Sequence, residues 1–301
     1  MKNNIKMNQK IDPNWITGFT DAEGNFRLVL TYNKIEKWKY TKRANFTISQ
    51  KSTSNECLYL IKDFFKCGNV YNKLNGISTY EVNKLNDLNK KIIPHFNKYP
   101  LLTSKKINFN LWKKGIEIIN KKNHKNKTIN EILEIINKMN SKITFEIKWK
   151  FLKLNIVNKI NPNWITGFTD GNGCFYFKLS KTILASYELT QNTHDYLLLN
   201  SIKKFFNIGN ISPNLKNIYC MKDALNNKSI SRYYINTKDG IDKVINHFNK
   251  YSLLTNKKIS FEYWKILIHM KNNNKHKFKD SLNEMINIKN KMNPDKKNYK
   301  I

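Results

Sequence analysis

The chain carries the segment WITGFTDAEGNF at residues 15–26 and a near copy, WITGFTDGNGCF, at residues 164–175. Two further pairs follow in the same order: FTISQK at 46–51 with YELTQN at 187–192, and HFNKYPLLTSKKINF at 95–109 with HFNKYSLLTNKKISF at 247–261. The spacing between the copies varies, so the length changes fall between retained landmarks, as is typical of surface loops. We predict a duplicated chain with an N-terminal repeat at 1–140, a linker at 141–161 and a C-terminal repeat at 162–301.

Each repeat has the pattern of helix, hairpin, helix, hairpin and helix, which predicts an α+β fold. The dipeptides Asp-Pro at 12–13 and Asn-Pro at 161–162 are typical of an N-cap followed by proline in the first helical turn, so a helix begins at each repeated segment. After Gly24 and Gly173, apolar and polar residues alternate, which predicts half-buried strands with a polar outer face. The linker holds too many apolar residues for a loose tether, and we expect it to pack across the molecule.

The charge of the chain indicates a polyanionic partner. It has 54 Lys and Arg residues against 22 Asp and Glu residues, a formal net charge of +32, and such a charge opposes compaction unless a partner neutralises it. An AT-rich gene explains much of the lysine count but not the shortage of acids. The aromatic content of 13% favours a folded protein over a basic disordered tail.

Several other classes of protein are excluded by composition. No run of 18 apolar residues is present, so we expect no membrane span, and the N-terminus lacks the apolar core of a secretory signal. The four cysteines have no zinc-site spacing, and we expect reduced, mostly buried thiols. The six histidines are scattered, which argues against a histidine-metal nuclease and indicates structural or solvated roles.

The repeated nonapeptides, ITGFTDAEG at 16–24 and ITGFTDGNG at 165–173, resemble the LAGLIDADG motif. With the other paired landmarks, the chain resembles the single-chain, two-repeat LAGLIDADG homing endonucleases of organellar introns from residue 11 to about 292. The resemblance implies a monomer of two pseudo-symmetric αββαββα repeats, joined through their motif helices. Their two four-stranded antiparallel sheets would form a saddle over the major groove of a long, pseudo-palindromic DNA site. It also implies a mitochondrial or other organellar origin.

The resemblance also implies a catalytic role for particular positions. The acid that ends each motif helix is Glu23 in the first repeat, but Asn172 stands at the matching place in the second. The implied metal positions are Glu23 and the adjoining residues Ala22 and Gly171. Four polar residues fall where the family organises water around the metals: Gln50, Gln191, Lys105 and Lys257.

Phosphodiester hydrolysis requires an activated water and a stabilised leaving alkoxide, and Mg²⁺ held by carboxylates supplies both. Magnesium keeps several waters, so one or two protein carboxylates are sufficient. Asp170 lies about 200° around the helix from Asn172 and so cannot replace the missing acid. We therefore interpret Asp21 and Asp170 as conformational or capping residues.

Asn172 leaves three accounts open: an engineered Asp-to-Asn change that retains DNA binding without cutting, natural decay of cleavage with the fold kept for splicing, or an enzyme that nicks or cuts slowly through Glu23. We predict Mg²⁺-dependent, site-specific cleavage of double-stranded DNA, weakened or abolished by Asn172. The alternative is a group I intron maturase that binds intron RNA on the same fold.

Side chains on the outer faces of the strands are expected to read base edges in the major groove. All three arginines of the chain lie at this parity, and we expect them to contact guanine: Arg27, Arg43 and Arg232. Weaker candidates for DNA contact are Asn45, Thr47, Tyr176 and Lys178. Lysines outside the strands are expected to contact phosphates or remain solvated.

Overall fold

The computed structural model describes residues 10–32, 40–121, 126–140, 159–180, 182–213 and 230–292, without the side chains of 126 and 127. The chain divides into two compact units, Met1–Lys148 and Trp149–Ile301. Their boundary falls inside the predicted linker, most of which lies outside the described ranges. The packing of that linker therefore stays a prediction.

The first unit alternates helices with two hairpins. Its elements are α1 Pro13–Glu23, β1 Gly24–Tyr32, β2 Tyr40–Lys51, α2 Glu56–Phe65, β3 Asn69–Asn72, β4 Ile77–Val82, α3 Leu85–Asp87, α4 Ile93–Lys98, α5 Lys105–Asn120 and α6 Asn126–Asn140. The strands form one antiparallel sheet in the order β1-β2-β4-β3. One face of this sheet is covered by apolar side chains of the helices, because Phe26 contacts both Phe96 and Trp112.

The second unit repeats this architecture. Its elements are α7 Pro162–Asn172, β5 Gly173–Lys178, β6 Leu184–Asn192, α8 Tyr196–Phe206, β7 Asn210–Ser212, β8 Ile230–Ile235, α9 Lys238–Lys250, α10 Lys257–Asn272 and α11 Lys279–Met292. The sheet order is β5-β6-β8-β7, again antiparallel. Phe175 contacts Phe248 and Trp264, as Phe26 contacts their counterparts in the first unit. The predicted α+β fold with two four-stranded antiparallel sheets is confirmed.

The structure adds helices to the predicted pattern. Residues 85–98 form α3, a π-helical stretch over Leu88–Ile92, and α4, where the sequence pattern had indicated only a lead into α5. The backbone stays helical from one element to the next, and Pro94, which has no N–H to donate to the preceding turn, lies just after the π-helical stretch. Helices α6 and α11 follow the predicted last helix of each repeat and pack against it. No helix within the described ranges is long and apolar enough to cross a membrane.

The turn after α2, and its counterpart after α8, requires glycine. Gly68 and Gly209 have φ of 73° and 95°, a region that L side chains avoid. A Cβ at Gly68 would also lie 2.6 Å from the carbonyl oxygen of Glu81 in the neighbouring strand. The turn therefore holds α2 close against β4.

The expectation of mostly buried thiols is wrong for the cysteines that the structure describes. Cys57 is buried, Cys67 is partly exposed and Cys174 is exposed. Cys174 follows the first residue of β5 and points to the outer face, opposite Phe175. The alternation of the strand, rather than the apolar character of the thiol, decides its exposure.

Candidate functional site

Both motif helices are capped by the same local interactions at their N-terminal and C-terminal ends. The Asp12 carboxylate accepts a hydrogen bond of 2.7 Å from the N–H of Asn14 and caps α1, and Asn161 does the same for α7. At the other end, the N–H of Gly24 caps the helix, and a Cβ there would lie 2.8 Å from the carbonyl oxygen of Thr20. Glycine therefore allows the strand to leave directly, and Glu23 is the last helical residue.

The aspartate before each helix end ties the motif helix to the start of the last predicted helix. Asp21 is buried and accepts hydrogen bonds from the N–H of Leu102 at 2.9 Å and the N–H of Thr103 at 3.2 Å. The Thr103 hydroxyl adds a third hydrogen bond at 2.5 Å.

Asp170 makes the same three contacts in the second unit, with the residues at 254 and 255. Both aspartates thus have the conformational role that the sequence indicated. Their partners were not predicted, although the LLT tripeptide shortly before each lysine pair was a repeated signal.

A lysine lies at the C-terminal end of each motif helix. Lys105 begins α5, and its Nζ donates to the carbonyl oxygens of Thr20 at 2.8 Å and Ala22 at 3.4 Å. Lys257 begins α10 and donates to the carbonyl oxygens of Gly171, at 3.2 Å, and Gly173. A helix C-terminus carries partial negative charge, so an ammonium group is stabilised there. The structure therefore places each predicted lysine beside the backbone that adjoins Glu23 or Asn172.

Gln50 and Gln191 are the next-to-last residues of β2 and β6, which are inner strands of their sheets. The side-chain oxygen of Gln50 accepts from the N–H of Lys51 at 2.9 Å, and that of Gln191 accepts from the N–H of Asn192 at 3.3 Å. Both side chains are partly exposed. Their predicted role in organising water stays a prediction.

Buried histidines support the other end of the motif helices. The Nε2 of His95 lies 3.2 Å from the Thr17 hydroxyl, and His247 lies at the same distance from the Thr166 hydroxyl. Burial lowers the pKa of His95 to about 3 and that of His247 to about 4. Both rings are therefore neutral near pH 7, and the predicted structural role is confirmed for these two.

The donors at the helix ends fit a hard cation held by few protein ligands. Among the described residues, no group of three or more His, Cys, Asp or Glu side chains could hold a metal ion. Glu23 offers a partly exposed carboxylate, and Asn172 offers a neutral amide oxygen at the equivalent position. Magnesium needs only one or two carboxylates besides water, so this sparse donor set is compatible with it. A site shared by Glu23 and Asn172 would join the two units and stays a prediction.

The predicted base-reading residues all lie on the outer faces of the sheets, away from the apolar core. In the first sheet, Arg27 is the cross-strand partner of Asn45, Arg43 pairs with Val29, and Thr47 pairs with Glu81. In the second, Tyr176 and Lys178 are exposed on β5, and Arg232 pairs with Thr190. Their placement on one face of each sheet is compatible with DNA contact, which stays a prediction.

Sequence reasoning missed two acidic residues on these faces. Glu81 accepts a hydrogen bond from the Asn45 amide, and Glu188 forms an ion pair of 3.3 Å with Arg232. Each lies at polar-face parity in its strand, which was the available signal. Their partners depend on strand register, which the sequence alone did not supply.

A family profile and a curated relative both match most of this chain. The LAGLIDADG endonuclease family profile matches residues 16–116 and 165–268. Probable intron-encoded endonuclease 2 of Neurospora crassa is 27% identical over 307 residues, which cover 94% of this chain and 66% of that protein. The chain thus spans slightly less than two thirds of the length of this curated relative.

Solved structures are similar over nearly the whole chain. The LAGLIDADG homing endonuclease I-GzeII in complex with its DNA target is 30% identical, with a TM-score of 0.81, covering 95% of this chain and 100% of that one. I-SmaMI bound to an uncleaved DNA target in the presence of calcium ions has a TM-score of 0.81 at 24% identity, covering 94% and 99%. The latter likeness shows the fold alone. Because the profile matches both motif copies and most of the chain, this protein belongs to the LAGLIDADG endonuclease family.

Proposed function

We propose that this chain binds a long, pseudo-palindromic site in double-stranded DNA as a monomer, and that Asn172 weakens or abolishes its Mg²⁺-dependent cleavage. The proposal rests on one arrangement of helix, lysine and strand that is present in both units. A motif helix ends beside a lysine tied to its carbonyl oxygens, and the strand that follows belongs to a sheet with a polar, cationic outer face. The intron-encoded relative supports a gene in an intron, which we place in a mitochondrial or other organellar genome.

The residues of the first unit fit the demands of hydrolysis. Glu23 would hold Mg²⁺, with the backbone of Ala22 beside it, and the bound ion supplies an activated water and a stabilised leaving oxygen. Lys105 places a cation at the helix end, where it would stabilise negative charge on the phosphate. Gln50 would orient water through its amide.

The second unit has the same parts except the acid. Lys257, Gln191 and the backbone of Gly171 correspond to their first-unit counterparts, but Asn172 carries no charge. A neutral amide oxygen attracts a divalent cation less than a carboxylate does, because the ionic attraction is lost. Binding of DNA depends on the sheets and should survive this loss.

The test uses a duplex selected by the full chain from a randomised library in Ca²⁺ and cloned into a supercoiled plasmid. With Mg²⁺, we expect Asn172→Asp to produce linear plasmid faster than the unchanged chain by roughly a hundredfold, the scale of one charged group at a reacting centre. The matched control adds Glu23→Gln to Asn172→Asp and should abolish the gain.

The maturase alternative makes the opposite prediction. A group I intron maturase would bind structured intron RNA tightly and be indifferent to Glu23. If Asn172→Asp leaves the selected plasmid uncut while the chain binds intron RNA tightly, the nuclease proposal is wrong. The similarity to a DNA-bound structure favours double-stranded DNA over RNA.

A further inference from the structure

Each sheet carries one acidic residue within its described strands, Glu81 in β4 and Glu188 in β6. Both point to the outer face, which is proposed to meet a polyanion. A carboxylate there repels phosphate, so it requires a compensating role. Lysine and arginine outnumber aspartate and glutamate more than twofold in the whole chain, so an acidic residue on the outer face of each sheet calls for a physical reason.

The two glutamates occupy the same cross-strand pair of the duplicated sheet. Thr47 pairs with Glu81 in the first sheet, and Glu188 pairs with Tyr234 in the second. Thr47 and Glu188 are equivalent positions, because FTISQK matches YELTQN. The carboxylate therefore belongs to β4 in the first sheet and to β6, the counterpart of β2, in the second. In both sheets it lies within the same cross-strand pair.

The two carboxylate oxygens of Glu188 accept hydrogen bonds from different side chains. Its Oε1 accepts from the hydroxyl of buried Ser186 at 2.6 Å, and its Oε2 accepts from Nη1 of Arg232 at 3.3 Å. The carboxyl side chain is 17% exposed, whereas the arginine side chain is 48% exposed. The guanidinium carbon also lies 5.1 Å from the centre of the Tyr234 ring, at a distance that permits cation–π attraction.

Glu81 orients an amide in the first sheet. The Asn45 Nδ2 donates to the Oε1 of Glu81. A carboxylate only accepts hydrogen bonds, so the nitrogen side of the amide must face it. The second N–H and the amide oxygen of Asn45 are then presented in a defined orientation.

We infer that Glu81 and Glu188 are positioning residues that fix the base preference of Asn45 and Arg232. Asparagine recognises adenine by donating to N7 and accepting from the N6 amino group, and arginine recognises guanine through O6 and N7. One N–H of each reader is used by its glutamate, and further donors remain for the base. The inference rests on the proposed DNA binding and names adenine for Asn45 and guanine for Arg232.

The test measures the base preference at every pair of the duplex selected by the unchanged chain in Ca²⁺, without cleavage. Arg232→Ala identifies the pair that Arg232 reads, where we expect guanine. Glu188→Ala should lower the guanine preference there by about fivefold or more, the lower end for one bidentate contact. Affinity for a random duplex should not fall, because a repulsive charge is removed.

A double-mutant comparison separates positioning from direct reading. In the Arg232→Ala background, Glu188→Ala should have no further effect on base preference. Glu188→Gln keeps one acceptor oxygen and should give an intermediate loss. The Asn45 and Glu81 variants should show the same relation at an adenine.

The matched control is Glu262→Gln, which removes the same charge from an exposed carboxylate paired with the partly exposed Lys265 on α10 and should leave every base preference unchanged. Three results would overturn the inference: guanine preference retained in Glu188→Ala, a glutamate effect that persists without Arg232, or a uniform loss at all pairs with a lower melting temperature. If no duplex is enriched at all, the proposed function fails and the inference falls with it.

Discussion

Lowering the pH from 7.5 to 5 should destabilise each unit, because each buries a neutral histidine beneath its motif helix. The His95 ring is packed against Phe64, Phe65 and Phe96. These aromatic neighbours exclude water, and burial disfavours the imidazolium form. The corresponding ring of His247 is enclosed in the same way by aromatic residues of the second unit.

The magnitude follows from the difference between the folded and unfolded pKa values. The pKa of His95 falls from 6.5 to about 3 on folding, so between these values the unfolded chain binds a proton that the folded chain does not. This stabilisation is complete above the unfolded pKa and is lost as the pH falls toward the folded pKa. At pH 5 the unfolded histidine is 1.5 pH units below its pKa, which costs about 2 kcal/mol in each unit.

The assay is urea unfolding of the full chain at pH 7.5 and pH 5, followed by tryptophan fluorescence. The unchanged chain should lose about 4 kcal/mol in total between these pH values through its two buried histidines. His95→Gln should remove about half of that loss, and adding His247→Gln should remove the rest. His269→Gln, at an exposed position, is the matched control and should leave the loss as in the unchanged chain.

A result in which His95→Gln retains the full pH dependence would contradict the reasoning. It would mean that His95 is protonated in the folded unit or does not change its pKa on folding. A loss of stability at both pH values without a change in their difference would show that His95 contributes through packing alone.

Four further predictions concern the contacts around the motif helices. Asp21→Asn should lower the free energy of unfolding by about 1.5–3 kcal/mol in urea titration, since at least one hydrogen bond to a buried carboxylate is lost. Tyr187→Phe should cost about 1–3 kcal/mol, because the Thr169 hydroxyl loses its 2.7 Å partner. The reciprocal Phe46→Tyr should stabilise the first unit, where the buried hydroxyl of Thr20 has no hydrogen-bond partner among the residues that the structure describes. Lys105→Met, placed in the Asn172→Asp chain, should slow plasmid cleavage by roughly tenfold or more, and an unchanged rate would remove the lysine from the mechanism.

Structural features that depend only on residues close together in the chain could be predicted from the sequence. The capping of α1 by Asp12, the end of that helix at Gly24 and the alternation along β1 each follow from chemistry within a few residues. The duplication strengthened these predictions, because each pattern occurs twice in the same order. Helix α6 was missed although its apolar residues, including the buried Ile129 and Ile132, recur at helical spacing, so a local signal was available. Helix α11 gave a weaker signal, because its buried residues are its two methionines and it depends on packing against α10.

Residue identity and short-range periodicity were enough to predict the two repeats, the strand faces, the family and the presence of Asn172 where the first repeat has an acid. Which polar groups meet became known from the folded structure. The hydrogen bond that the Thr103 hydroxyl donates to Asp21 spans 82 positions, and the ion pair of Glu188 with Arg232 depends on the register of two strands. A shift of register by one residue would turn each side chain to the other face, so contacts of this kind arise from packing that no local sequence pattern specifies.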